Sequence, residues 1–215
     1  MIEYPKIETL YERGADFSVT DVLRSPVIGT ISKWIVTEKV DGTNIRVDLR
    51  RGEDGTDTVT FGGRTPSAQI HADMIAYLQR TFAVEKMVAL RLDGDPTTIT
   101  LFGEGYGAGI QRGGGLYRKD KAVILFDVLI GDRWWLDYEA VVEIGAKLGV
   151  PVVPQLGVWS LDEIRANVPG LRSVVATEER EAEGVVARTI ETLYDKHGKR
   201  LTIKLKASDF RAGKR

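Results

Sequence analysis

The sequence predicts an α+β fold built mostly from antiparallel sheets, with helices beside them. Short segments of alternating or continuous apolar residues are separated by glycine-rich turns, and only a few stretches show helical periodicity. These segments do not follow the strict strand–helix alternation of a Rossmann sheet. At 215 residues the chain suits one large domain, and we expect a single domain over residues 1–215.

Two strands are predicted on either side of Lys39. Ile45, Val47 and Leu49 alternate with charged residues, which indicates a half-buried strand. Residues 34–37 form a second apolar segment and are expected to be its paired strand. Lys39 would then stand where one strand passes into the next.

The segments after this pair predict further strands and helices. A strand at 57–61 closes at Gly62-Gly63, and Pro66 and Ser67 open a helical pattern. The apolar face of that helix is formed by Ile70, Met74, Tyr77 and Leu78. The remaining elements are strands at 98–104, 122–130, 134–135, 184–188 and 201–205 and helices at 138–148 and 161–167.

Composition excludes several classes of protein. The chain has no cysteine, which rules out disulfides, thiolate catalysis and cysteine-ligated zinc. It has no apolar run near 18 residues and no signal-peptide pattern, so we expect no membrane association and a cytoplasmic location. The chain has only two histidines, His71 and His197, and they are far apart in the sequence, which predicts no histidine metal site.

A net charge of −1 predicts no general basic surface, so any nucleic-acid contact must be local. The basic clusters are Arg50 and Arg51; Arg112, Arg118, Lys119 and Lys121; and the tail Lys196, Lys199, Arg200, Lys204, Lys206, Arg211, Lys214 and Arg215.

Three lysines are the candidate catalytic residues. Lys39 lies in the pattern Lys-x-Asp-Gly, and a lysine can act as a nucleophile only when its amine is neutral. The period of a strand puts Lys204 and Lys206 on one face, while Ile203 and Leu205 turn to the core. Two lysines directed inward repel each other unless an anion lies between them, and phosphate is the simplest such anion.

Two carboxylates and one aromatic ring complete the candidate site. Glu104 and Glu183 are predicted where a strand meets a loop, which suits a ribose hydroxyl or a hydrated Mg²⁺ ion with few protein ligands. Phe126 lies in the apolar run at 122–130, where it could belong to the core or stack on a base.

These residues together resemble the covalent nucleotidyltransferases, most closely the ATP-dependent RNA ligases of the RNA ligase 2 type. The nucleophile motif is Lys39-Val40-Asp41-Gly42-Thr43-Asn44, and an asparagine at the position of Asn44 is typical of RNA ligases. Five more segments resemble family motifs in the same order: Gly62-Gly63-Arg64-Thr65, Gly103-Glu104-Gly105-Tyr106-Gly107 with Ile110-Gln111, Leu125-Phe126-Asp127-Val128, Glu183-Gly184-Val185-Val186-Ala187-Arg188 and Ile203-Lys204-Leu205-Lys206.

The resemblance implies a role for each residue. Lys39 would attack the ATP α-phosphate to give Lys-AMP, and Lys204 and Lys206 would neutralise charge on phosphate oxygens. The implied nucleotide-binding residues are Glu38, Lys39, Asn44, Arg64, Glu104, Phe126, Glu183, Lys204 and Lys206. Glu104 and Glu183 would also orient Mg²⁺ or Mn²⁺ through water. The implied substrate is RNA with 5′-phosphate and 3′-OH ends.

The same resemblance implies the ATP-grasp-like catalytic fold of ligase adenylation domains. Only nine residues follow Lys206, so we expect neither an OB-fold nor the helical domain of RNA ligase 2. Self-adenylylation is then the safer expectation than strand sealing, and a protein partner could replace the missing domain. The alternatives are a minimal DNA or hybrid nick ligase, a GTP-using guanylyltransferase, and a nucleotide- or RNA-binding module that does not seal.

Overall fold

The structure is a computed structural model that describes residues 2–15, 19–65, 67–91, 95 and 97–210. The strands are β1 (Glu8–Thr9), β2 (Tyr11–Arg13), β3 (Val19–Leu23), β4 (Trp34–Lys39), β5 (Thr43–Arg51), β6 (Asp57–Gly62), β7 (Ile99–Gly107), β8 (Lys121–Ile130), β9 (Trp134–Trp135), β10 (Gln155–Trp159), β11 (Gly184–Thr189) and β12 (Thr202–Lys206). The α-helices are α1 (Pro26–Gly29), α2 (Ala72–Thr81), α3 (Val84–Val88), α4 (Tyr138–Leu148) and α5 (Leu161–Asn167), and 3-10 turns lie at Gly114–Leu116 and Ala207–Phe210.

The chain divides into two compact units. The first unit contains Met1–Tyr4 and Asp41–Val152, and the second contains Pro5–Val40 and Val153–Arg215. The expectation of a single domain over residues 1–215 therefore stays a prediction. The predicted α+β class with mostly antiparallel sheets is confirmed, since all strand pairs of the named sheets are antiparallel except β1 with β12.

The first unit is built on a five-stranded sheet in the order β6-β5-β7-β8-β9. Helices α2 and α4 pack against β8 and cover one face of this sheet. Their buried residues, such as Met74 and Val141, meet Leu49, Leu101 and Leu125 from the strands. This apolar layer fixes the register of β7 and β8, which carry two of the predicted site residues.

The other face of this sheet is also buried, which corrects the prediction that β5 is half-buried. Arg46 is 0% exposed and Asp48 is 1% exposed. Arg46 donates a hydrogen bond to the backbone oxygen of Ile2 (2.6 Å), and Asp48 accepts one from the Thr100 hydroxyl (2.5 Å). These partners replace water at Arg46 Nη1 and Asp48 Oδ1, whereas Arg46 Nε and Nη2 and Asp48 Oδ2 have no hydrogen-bond partner among the described residues.

The predicted pairing of the strands before and after Lys39 is wrong. β4 pairs with β10 and β11 in one sheet, whereas β5 pairs with β6 and β7 in another. β4 has an apolar face of its own, formed by Trp34 and Val36, and the sheet of the second unit buries that face. The prediction that Lys39 lies between two strands is confirmed, because β4 ends at Lys39 and β5 begins at Thr43.

The predicted helix at 66–78 begins later than expected. Pro66 lies outside the described residues, Ser67 is in a turn, and α2 begins at Ala72 after an extended His71. Met74 and Leu78 are buried on its inner face as predicted. Ile70 still packs on the core from the segment before the helix.

The second unit is built on a five-stranded sheet in the order β1-β12-β11-β4-β10. Its core contains Trp34, Val185 and Leu205 from the strands and Ile164 from α5. Ser160 caps α5, since its hydroxyl accepts from the Glu163 backbone N–H while the Glu163 carboxylate accepts from the Ser160 N–H. Helix α5 lies where it was predicted, whereas β10, which borders β4, was not predicted.

In the described part of the chain, no helix combines the length and apolar character needed to cross a bilayer.

We expect Asp57 to stabilise the first unit in a pH-dependent way. Hydrogen bonds from Arg51 and then Arg91 lower the pKa of Asp57 from 3.8 to about 2. A carboxyl with a depressed pKa stabilises the fold above its unfolded pKa, and this stabilisation disappears as pH falls through the folded pKa. Asp57→Asn should therefore lower the urea midpoint at neutral pH. The difference in midpoint between this variant and wild type should shrink as the pH falls from 3.8 to about 2.

The matched control for this prediction is Asp21→Asn. The Asp21 side chain is fully exposed, with a relative exposure of 100%, so its removal should leave the midpoint unchanged. A midpoint difference for Asp57→Asn that stays constant across this pH range would contradict the prediction.

Candidate active site

The nucleophile candidate Lys39 is the last residue of β4, and two neighbouring strands place Lys206 nearby. Lys39 is the register partner of Gly184 on β11, and Gly184 is in turn the partner of Lys206 on β12. Lys39 and Lys206 therefore flank one glycine across three adjacent strands. Glu183 directly precedes β11, as predicted for a residue where a loop meets a strand.

One carboxylate joins the two amines. Glu183 Oε2 lies 2.5 Å from Lys39 Nζ, and Glu183 Oε1 lies 2.7 Å from Lys206 Nζ. We name Lys39, Glu183 and Lys206 the lysine cluster. Burial acts to raise the pKa of Glu183, but the charges and hydrogen bonds of Lys39 and Lys206 outweigh it and lower that pKa.

The lysine cluster engages the Lys39 amine in an ion pair with Glu183. An ammonium paired with a carboxylate has no free electron pair, so this ion pair must break before Lys39 can act as a nucleophile. The sequence predicted an anion beside the inward-facing lysines, with phosphate as the simplest choice. In this structure the anion beside Lys206 is Glu183 of the chain itself.

Lys204 lies on the same face of β12 as Lys206. Ile203 and Leu205 are buried at 3% and 1% exposure, whereas Lys204 and Lys206 are both partly exposed, which confirms the predicted alternation. Lys204 is the register partner of Val186 on β11. Its position along β12 is thus two residues from the lysine cluster.

Gly184 is required at the centre of the lysine cluster. Its φ of +154° is rarely adopted by other residues, and an added Cβ would collide with the Leu205 oxygen and lie 2.7 Å from the Lys206 Cα. Any side chain here would therefore push β12 away from β11. The spacing between Lys39 and Lys206 depends on that contact.

We expect Gly184→Ala to destabilise the protein by on the order of 1–3 kcal/mol. It should also slow the chemistry of Lys39 by displacing Lys206. The free energy of urea unfolding would be measured, with Gly198→Ala as control, since Gly198 has φ +74° but nothing within 4 Å of the added Cβ. If Gly184→Ala lowered the free energy of unfolding no more than Gly198→Ala does, the close contact at Gly184 would be contradicted.

Glu38 lies on the face of β4 opposite to Lys39, because neighbouring strand residues point to opposite faces. It is 1% exposed. Its carboxylate accepts hydrogen bonds from the Ser173 hydroxyl (2.5 Å) and from the backbone N–H groups of Val174 (2.8 Å) and Val175 (3.3 Å). Its role in nucleotide binding stays a prediction, and any contact with a nucleotide would have to share these partners.

In the first unit, Asn44 and Glu104 are register partners on β5 and β7. Glu104 lies inside β7, which continues to Gly107, so the prediction that it lies at a strand end is wrong. It is the one partly exposed residue in a strand that is otherwise buried. Asn44 Oδ1 is buried and accepts no hydrogen bond from the described residues, which leaves an acceptor available for a ligand.

The turn after Lys39 packs against the glycine-rich segment that follows β7. A Cβ at Gly42 would collide with the Gly105 oxygen, so only glycine fits this approach. Gln111 Nε2 donates to the Gly42 oxygen (3.0 Å), and the Asp41 N–H donates to the Tyr117 hydroxyl (3.1 Å). The Asp-Gly pattern of the nucleophile motif therefore has a packing reason within the first unit.

Phe126 lies at an irregularity in β8. The register passes from Phe102 with Asp127 to Gly103 with Leu125, so Phe126 lies at a β-bulge. Its ring is partly exposed and meets the Tyr4 ring edge-on, with centroids 5.0 Å apart and an interplanar angle of 74°.

Arg64 is exposed in the bend that follows β6.

Sequence reasoning missed Ser173 and Tyr117. Ser173 holds Glu38, and Tyr117 accepts from the nucleophile turn, yet neither belongs to a segment with recognisable periodicity. Within the described ranges, no three His, Asp or Glu side chains group as metal ligands. Glu104 and Glu183 stay the predicted metal-orienting carboxylates.

Comparison with known proteins adds independent findings. Comparison with curated protein sequences gives no significant match. Among solved structures, the chain is similar to the Naegleria gruberi RNA ligase with PPi, at TM-score 0.63 and 24% identity over 94% of this chain and 59% of that chain. A mutant of the same ligase with ATP and Mn gives TM-score 0.64 and 21% identity, also over 94% and 59%.

These structural similarities show the fold, and the chain spans about 60% of the length of the ligase chains. Sequence similarity shows the family, because the RNA ligase family profile matches residues 32–206, from just before β4 to the end of β12. That range contains every predicted site residue from Glu38 to Lys206. The chain belongs to the RNA ligase family.

Proposed function

We propose that this protein is an ATP-dependent RNA ligase that works through a covalent Lys39-AMP intermediate. Lys39 Nζ forms a bond to the α-phosphorus of ATP, the bond to the β-phosphate oxygen breaks, and pyrophosphate leaves as Nζ loses a proton. A 5′-phosphate oxygen of the nucleic acid then takes the AMP from Lys39. Finally a 3′-OH attacks that 5′-phosphate, and AMP leaves as the phosphodiester forms.

The observation that carries this proposal is the lysine cluster, in a chain that belongs to the RNA ligase family. A partly buried lysine beside a second lysine can bind the negative charge of a triphosphate. Phosphate oxygens would compete with the Glu183 carboxylate for both Lys39 and Lys206 and so break the ion pair that engages Lys39. The positive charges of Lys204 and Lys206 would stabilise the charge that develops on the phosphate during transfer.

The base and ribose are assigned to residues of the first unit. Phe126 has a partly exposed ring that suits stacking on adenine, and Glu104 has a partly exposed carboxylate for the ribose hydroxyls. The buried, unpaired Asn44 Oδ1 supports a ligand-binding role. Arg64 would contact a phosphate or the RNA, and Glu38 would help to fix the base or a metal-bound water.

A divalent metal ion fits the donor chemistry of the chain. The solved Naegleria ligase mutant was bound to ATP and Mn. Mg²⁺ or Mn²⁺ takes oxygen ligands and keeps several waters, so Glu104 and Glu183 together with the phosphates of ATP suffice as donors. Such an ion would supply positive charge at the phosphates, and Glu183 would help to hold it instead of pairing with Lys39.

The proposed nucleic-acid substrate is RNA with 5′-phosphate and 3′-OH ends. The family and the position of Asn44 favour RNA over DNA. Contacts with RNA would come from local basic residues, since the net charge is −1.

The test is covalent labelling. The protein would be incubated with labelled ATP and Mg²⁺, denatured, and separated on a gel, and its intact mass would be measured. We expect label that survives denaturation and a mass gain of one AMP. Label from GTP but not from ATP would assign the guanylyltransferase alternative, and no adduct from either nucleotide would contradict the covalent mechanism.

A further inference from the structure

The segment that leads to Glu183 is a short loop whose two limbs are hydrogen-bonded to each other. The Ser173 N–H donates to the Arg180 oxygen (3.0 Å), and the Ala182 N–H donates to the Leu171 oxygen (2.8 Å). We name residues 171–182 the 171–182 loop. Its second limb continues directly into Glu183, so the position of this loop constrains the backbone of Glu183.

Ser173 attaches the first limb of this loop to β4. Its hydroxyl donates to Glu38 Oε1 (2.5 Å) and accepts from the Ala176 N–H (3.1 Å). The Glu38 carboxylate also accepts from the next two backbone N–H groups, so both of its oxygens are used. A carboxylate that is 1% exposed needs such partners, and the loop supplies them.

Glu38 therefore fixes the first limb of the 171–182 loop. The second limb leads into Glu183, which pairs with Lys39, the residue that follows Glu38. The Glu183 backbone oxygen accepts from the Ala207 N–H (3.0 Å), which ties the same residue to the end of β12. Its carboxylate then contacts Lys39 and Lys206. Adjacent residues of β4 thus hold both the start of the loop and the carboxylate at its end.

We propose that Ser173 is a positioning residue for the Lys39 reaction: through Glu38 it fixes the 171–182 loop, and the loop in turn fixes Glu183 against the nucleophile. This inference rests on the proposed function. Ser173 acts through Glu38 and Glu183, since its hydroxyl bonds to the Glu38 carboxylate and to the Ala176 N–H. Small displacements of charged groups at a reacting centre slow chemistry strongly, so loss of the hydroxyl should affect the rate of adenylylation more than the affinity for ATP.

The test compares Ser173→Ala with Ser173→Thr in a single-turnover adenylylation assay. Ser173→Ala should lower the maximal rate about 10-fold while the ATP concentration for half-maximal rate stays within about twofold. Ser173→Thr keeps the hydroxyl that donates to Glu38 and should have a rate within about twofold of wild type. Ser173→Val, which matches threonine in shape but has no hydroxyl, should behave like the alanine variant. It replaces Ser173→Ala in the test if the alanine variant does not fold.

Ser160→Ala is the matched control, because Ser160 caps α5 in the same unit and has a structural role only. It should lower the melting temperature and leave both kinetic parameters unchanged. A wild-type rate in Ser173→Ala, a weaker apparent ATP affinity at an unchanged rate, or failure of threonine to restore the rate would each overturn the proposal.

Hydrogen exchange separates this inference from the proposed function. In Ser173→Ala the amides of residues 174–176 and 182–183 should exchange faster than in wild type, whereas Ser160→Ala should leave them unchanged. If wild-type protein forms no adduct with ATP, the proposed function fails and the exchange result still tests the loop. Unchanged exchange at 182–183 in Ser173→Ala would show that Ser173 does not control Glu183.

Discussion

Replacing Lys39 with alanine is expected to abolish covalent labelling by ATP. The lysine cluster has one amine at the end of β4, and Lys206 lies two strands away from it on β12, so Lys206 cannot take the place of Lys39. Lys39→Arg should also fail, because a guanidinium stays protonated and is no nucleophile. The measurement is the fraction of protein that carries AMP after denaturation.

Lys33→Ala is the control for this experiment. Lys33 lies in the same unit and forms an exposed ion pair with Glu163 (3.0 Å), so its removal should leave labelling at the wild-type level. Melting curves would establish that each variant folds. Labelling of Lys39→Ala at the wild-type level would place the nucleotide on another residue and refute the proposed mechanism.

The strands that carry the site could be predicted because their side chains alternate. Ile203, Lys204, Leu205 and Lys206 alternate apolar and charged side chains, and only one face of β12 can enter the core. The break between β4 and β5 was visible in Asp41-Gly42, since glycine is needed where the turn approaches Gly105. Helix α5 was predicted at its observed position, and the structure shows a capping box of Ser160 and Glu163 at its start.

Features that depend on distant partners could not be predicted. The pairing of β4 with β11 joins residues about 150 positions apart, and nothing local in either strand specifies it. The burial of Arg46 and Asp48 likewise depends on Ile2 and Thr100, so local alternation wrongly suggested an exposed face. The hydrogen bonds of Glu38 also reach a loop more than 130 residues away, while its role in nucleotide binding stays a prediction.

The lysine cluster shows how a correct motif can leave the chemistry undetermined. The sequence indicated which residues carry charge but did not indicate that Glu183 bridges Lys39 and Lys206. Because Glu183 engages the Lys39 amine, a ligand must compete for this carboxylate before Lys39 can react as a nucleophile.

The second large effect is expected from the paired lysines of β12. Lys206→Ala and Lys204→Ala should each reduce the rate of Lys39 adenylylation by about 10²-fold or more, the scale observed when a donor to developing charge is removed. Lys206→Arg keeps the positive charge but changes the donor geometry, so we expect it to retain part of the activity. Rates would be measured in single turnovers at saturating ATP.

The pH dependence of these variants should also change. Lys206 shares the Glu183 carboxylate with Lys39, so its removal leaves Glu183 paired with Lys39 alone and strengthens the ion pair that must break before Lys39 reacts. We therefore expect the pH optimum of adenylylation to rise in Lys206→Ala, and also in Lys204→Ala, because that variant loses a positive charge from the same face of β12. Lys199→Ala is the control, since Lys199 pairs with Glu8 (3.1 Å) and should leave rate and optimum unchanged. A wild-type rate in both variants would remove the β12 lysines from the mechanism, whereas slow reaction at an unchanged pH optimum would restrict them to binding phosphate charge.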